Sequence, residues 1–111
     1  MSLRDSVMKQ PETVEVEAFG KTVTVQEIGA LDRIEYLEYL EKLRADGASD
    51  QRAGLLLQVF MLVKCSVEDG KRVFEDSEVE AVAATTTDLK SLSVVFAEAT
   101  KLNKLAGEEG N

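Results

Sequence analysis

The sequence contains no histidine and no tryptophan, and among its 111 residues there is one cysteine and one proline. Without histidine there is no His-based triad, no imidazole general base and no His metal site. Cys65 alone forms neither an intrachain disulfide nor a cysteine zinc site, which suits a reducing compartment. Basic residues are outnumbered: 13 Lys and Arg against 21 Asp and Glu leave a net charge of −8. A surface of that sign repels a polyanion, so no nucleic-acid partner is expected. The opening residues, MSLRDSVMKQPE, hold no apolar segment of signal-peptide kind. The longest apolar stretch, AGLLLQVFMLVKC, is interrupted by Gln58 and Lys64 and is too short to span a bilayer, so no membrane partner is expected either. What is present is apolar content of 44%. That suffices for one core burying roughly two thirds of the unfolded chain's surface. Composition thus favours an acidic, cytosolic, non-enzymatic domain without a cofactor.

Residues 1–11 carry mixed charge without period and read as a flexible arm ending at Pro11. From Thr13 to Gln26 the period is two. Val14, Val16 and Ala18 alternate with Glu15 and Glu17, and Val23 and Val25 alternate with Thr22 and Thr24. A type II′ loop at Gly20-Lys21 would pair Ala18 with Val23 and Val16 with Val25, placing the apolar side chains on one face of a hairpin. A two-stranded ribbon needs a partner, so that face is expected on helices. A first long helix is expected from Gly29 or Ala30 to Ala45, with Asp32 in its first turn and Gly47 closing it. It carries two apolar stripes, Ala30-Ile34-Leu37 and Tyr36-Tyr39-Leu43, with Leu40 between them. One stripe joins the core; the other needs a neighbour or a partner.

Ser49 and Asp50 cap a second helix expected to reach Val67. Apolar nearly all round, it reads as the central element, with Cys65 a small core hydrophobe. Residues 68–80 hold six acids and two bases, and Asp69-Gly70 marks a turn. Val73 and Phe74 return to the core, and Ser77 is placed to cap a short helix through Ala84. A last helix starts at Thr86 or Thr87 and buries Leu89, Leu92, Phe96, Ala99 and Ala106, leaving Val94 and Leu105 off its stripe. These elements predict an α+β fold, mainly α: an N-terminal β-hairpin packed on a bundle of three main helices plus one short helix. The globular domain is expected over residues 12–106, followed by an acidic tail, 107–111.

No catalytic or metal motif emerges. If Gly70 held the sixth place of an EF-hand loop, the first, third and fifth ligands would be Cys65, Val67 and Asp69, and two of these lack a side-chain oxygen. GKTVTV lacks the upstream glycine of a phosphate-binding loop. Serine, threonine and lysine are present, but nothing in the sequence places a base beside a nucleophile. The features without a bland account are the excess apolar positions. Either the hairpin packs over Tyr36 and Tyr39, or these two, with Leu40 and secondarily Val94 and Leu105, form an apolar face for another chain, the tyrosines supplying area and a hydroxyl at a wet rim.

The run FGKTVTVQEIGALDRIEYLEYL, Phe19 to Leu40, resembles the start of the lambda protein G kind of tail assembly chaperone from long-tailed bacteriophages. The shared pattern is Val23-Thr24-Val25, then Glu27, Gly29 where that family has a serine cap, Ala30-Leu31, and Arg33-Ile34-Glu35-Tyr36-Leu37. SVEDGKRVFEDSEVEAV and a last helix ending KLNKL resemble the wider set of siphophage tail chaperones. The resemblance implies a protein that binds the long helical tape measure protein, keeps it soluble and helps recruit tail tube subunits. It acts in the host cytoplasm, is absent from the mature virion, and has no catalytic residues. It also implies a longer form, made by programmed ribosomal frameshifting, whose added domain contacts the tube protein. A homo-oligomer is compatible with it. The alternative reading is a self-assembling or adaptor domain without a tape measure client.

Overall fold

The computed structural model describes residues 2–104. Along the chain run α1 (Leu3–Val7), β1 (Thr13–Ala18), β2 (Lys21–Gln26), α2 (Ala30–Ala45), α3 (Asp50–Cys65), β3 (Ser66–Glu68), β4 (Lys71–Arg72), α4 (Val79–Thr85) and α5 (Leu89–Asn103). The four strands form one antiparallel sheet in the order β1-β2-β3-β4. The expected hairpin-on-helices architecture is present, widened by two short strands that the sequence pattern did not announce. Within the arm the structure adds α1, a single turn of helix capped by Ser2 that buries none of its residues.

The first hairpin differs in register from the expectation. Its loop is Phe19-Gly20, with φ of 56° and 73°, so both loop residues are left-handed, as a type I′ turn requires. Val16 therefore pairs with Val23 and Val14 with Val25. The offset from the expected pairing is two residues, which leaves every side chain on its expected face. Phe19 is held there although it lacks the backbone freedom of glycine: its N–H donates to the Ser91 hydroxyl on α5 at 2.8 Å, and its ring packs against the core. Val16, Ala18 and Val25 are buried, and α5 lies against both strands.

α3 is the hub. It touches α2, α4 and α5, and from Val59 through Cys65 every residue is buried. Ser49 caps it, its hydroxyl accepting from the Arg52 N–H. The helix ends at Cys65, two residues before the expected Val67, because Ser66 turns extended and the chain enters the sheet, pairing Ser66 with Val25 and Val67 with Thr24. Asp69-Gly70 then closes a second two-residue loop with positive φ at both positions. The short helix is capped by Glu75 rather than Ser77: Glu75 and Glu78 form a reciprocal capping box over a 3₁₀ turn, Asp76–Glu78, that runs into α4. Asp88 caps α5, its carboxylate accepting from the Ser91 N–H and hydroxyl, which holds its carboxyl below the usual range.

A fully buried asparagine fastens the two ends of the domain. The Asn103 carboxamide accepts from the Ile28 N–H at 2.9 Å and donates to the Ala99 carbonyl, while its own carbonyl accepts from Arg33 at 2.7 Å. The last turn of α5 is thereby tied to the link between β2 and α2. Leu105 and the tail 107–111 lie outside the described residues.

Candidate binding surface

α2 presents its two stripes the other way round from the expectation. The side turned to α3 carries Tyr36, Tyr39 and Leu43. Tyr36 meets the Phe60 ring edge-on at 6.0 Å between centroids, and Tyr39 stacks on it at 5.2 Å. The partner that covers the tyrosines is thus the central helix, not the hairpin. Tyr36 is buried, and Tyr39 and Leu40 are half-buried. Burial raises the Tyr39 phenol, helped by the charge of Glu80 and opposed by Arg52. As a surface for another chain, Tyr36 is corrected: its ring belongs to the core. The Ala30-Ile34-Leu37 stripe points outward instead: Ala30 is exposed and Ile34 and Leu37 are each exposed by 52%, with Leu31 beside them exposed by 76%.

This rotation is fixed by an ionic knot that the sequence reading passed over as an interruption. The Lys64 side chain is 4% exposed, and its ammonium group lies 2.7 Å from Glu35, 3.0 Å from Asp76 and 3.2 Å from Asp32. Three N–H donors meet three carboxylates. The ammonium also sits 5.4 Å from the Phe60 ring centroid, and Arg72 bridges Asp76 while donating to the Val63 carbonyl. Burial alone would lower the Lys64 pKa; the hydrogen bonds it donates to Glu35, Asp76 and Asp32 outweigh that and raise it. Asp76 is lowered by Lys64 and Arg72. A sequence signal did exist: a lysine inside an apolar run needs a counter-charge, and Asp32 and Glu35 share one face of the preceding helix.

The other site residues are not brought together. Val94, 36% exposed, sits by a hollow that it lines with Asp88, Lys90, Ser91 and the hairpin tip, and no α2 residue borders that hollow. Leu105 falls outside the described residues. Cys65 is a buried core side chain, its thiol pushed up to about 12 by desolvation and by the charge of Asp32. A second hollow of about 180 Å³, walled by Phe19, Val23, Leu62, Val73 and Phe74, is bordered by Ser66, whose buried hydroxyl has no hydrogen-bond partner. Among the described residues no group of three or more Cys, Asp or Glu is disposed to hold a metal ion, and no helix is long and apolar enough to cross a membrane.

No family model matches the sequence, and no curated protein matches it. In fold it is similar to a solved structure, that of the bacteriophage HK97 tail assembly chaperone. The TM-score is 0.63 at 17% identity, over 90% of this chain and 95% of that one. The class that fold and surface define is a small α+β domain with a central buried helix and an outward apolar stripe on the helix beside it. The solved protein sharing that fold is a bacteriophage tail assembly chaperone.

Proposed function

We propose that this protein is a tail assembly chaperone of a long-tailed bacteriophage. On this reading it binds the tape measure protein, keeps it soluble until the tube forms around it, and helps recruit tail tube subunits. It works in the host cytoplasm and leaves before the particle is complete. A frameshifted long form would carry the contact to the tube protein, and no step is catalytic. The observation that carries the reading is the fold shared with the HK97 chaperone over nearly the whole length of both chains. The motifs from Val23 to Leu37 support it independently of the fold. The acidic surface and exposed apolar stripe suit a soluble holder of an amphipathic chain.

The test is co-expression with the tape measure protein encoded beside it, followed by size-exclusion chromatography with light scattering. The expected result is a soluble complex carrying several copies of this domain. An insoluble tape measure beside a free acidic protein, with the frameshifted long form equally unable to rescue it, would overturn the reading.

A further inference from the structure

We infer that the outward face of α2 is the client site and that its occupant is an amphipathic helix with an apolar stripe and flanking lysines or arginines. The inference rests on the chaperone reading for the client's identity, and on the structure for the face and its chemistry. Leu31, Ile34 and Leu37 are each at least half exposed and form a stripe at three-residue spacing. Each is followed four residues later, one helical turn on, by a glutamate: Glu35, Glu38 and Glu41. Glu35 is engaged by Lys64, whereas the exposed Glu38 and Glu41 have no ion pair among the described residues. The surface is therefore apolar over the first turns of α2 and beyond them carries the two carboxylates of Glu38 and Glu41, beside Lys42, whose ammonium is paired with Asp46.

The stripe cannot be hidden by rolling the helix. Turning it inward would pull Tyr36 and Tyr39 off Phe60 and part Asp32 and Glu35 from Lys64. The arm does not cover it either, since Leu3, Val7 and Met8 are themselves at least 68% exposed. A second copy is a poor occupant: it would bring another set of unpaired glutamates, on a chain of net charge −8, alongside the first. A helix with basic flanks meets both halves of the surface, its apolar stripe on Leu31, Ile34 and Leu37 and its cations on Glu38 and Glu41.

The probe is an 18-residue helical peptide of leucine and lysine with one leucine stripe, beside a version in which glutamate replaces every lysine; about that length spans five helical turns. Binding is read by fluorescence anisotropy and folding by circular dichroism. The expected result is that the lysine peptide binds the wild type and that the triple variant Leu31→Ser, Ile34→Ser, Leu37→Ser, still folded, loses at least about tenfold in affinity. The glutamate peptide should bind at least about tenfold more weakly, and Glu38→Lys with Glu41→Lys should reverse the preference. Equal binding of the lysine peptide to wild type and triple variant overturns the proposal. So does light scattering that shows a wild-type dimer dispersed by the triple variant, because the occupant is then a second copy. Co-expression with the tape measure protein separates the two levels. If neither wild type nor triple variant solubilises it and the frameshifted long form does not rescue it, the chaperone reading fails; if both solubilise it, only the face is wrong.

Discussion

Lys64 joins three segments through one ammonium group, and its behaviour follows from the unequal exposure of the partners. The lysine is enclosed, while Asp32, Glu35 and Asp76 keep 36%, 50% and 58% of their side-chain surface in water. Replacing the cation leaves three carboxylates that water still reaches. Lys64→Met is therefore expected to cost about 2 kcal/mol at pH 7, below the full figure for breaking an enclosed pair. The sign with pH follows. The Asp76 carboxyl is held below its ordinary 3.8, so its contribution is complete above that value and is lost as pH falls through the lower folded value. Lys64 is raised above its ordinary 10.5, so its contribution is whole up to that point and is lost only in stronger base. Urea titrations should then show stability falling below about pH 4 in the wild type and a shallower acid limb in Asp76→Asn. Two further side chains separate satisfied from unsatisfied burial. Asn103→Ala strands the Ile28 N–H and should cost about 2 kcal/mol, whereas Ser66→Ala removes a hydroxyl without a partner and should gain about 1 kcal/mol, both read from chemical melts.

At the scale of elements, the packing of α2 on α3 decides which of two apolar stripes is core. Phe60 lies between Tyr36 and Tyr39, and the lysine one turn further along α3 draws Asp32 and Glu35 to the same side. The double variant Tyr36→Ser, Tyr39→Ser is therefore expected to lower stability by at least about 3 kcal/mol. A loss of client binding in it would then report unfolding rather than a missing contact, and thermal denaturation distinguishes the two. The hairpins give a second case. Gly20, at φ of 73°, has open space where a side chain would stand, so Gly20→Ala meets only backbone strain and should cost about 1 kcal/mol.

For the whole molecule, a net charge of −8 on a chain of this size means that self-repulsion opposes compaction. Raising the salt from about 0.05 to about 0.5 M should screen it and raise the Tm by a few degrees, since the enclosed Lys64 ammonium is less open to that screening than the surface charges. A fall in Tm would mean that surface ion pairs such as Lys21–Glu68, largely exposed, contribute more than repulsion removes.

The period-two run from Thr13 to Gln26, the helix from Ala30 to Ala45, the serine cap of α3 and its all-round apolar surface were legible in the residues, because each is a local pattern. The face of the hairpin survived an error in register because side chains alternate with a period of two, and the pairing slipped by two. Strands β3 and β4 were not legible: five residues in all, they owe their extended form to the free edge of β2. The candidate surface was half legible. The sequence determined that α2 has more apolar surface than one neighbour can cover, and that the domain is acidic. Only the tertiary structure decided which stripe is covered, because that choice depends on where Phe60 and Lys64 on another helix arrive. Contacts distant in sequence leave no period in it, so the exposed stripe is Leu31-Ile34-Leu37, Tyr36 is core and Tyr39 packs half-buried against it.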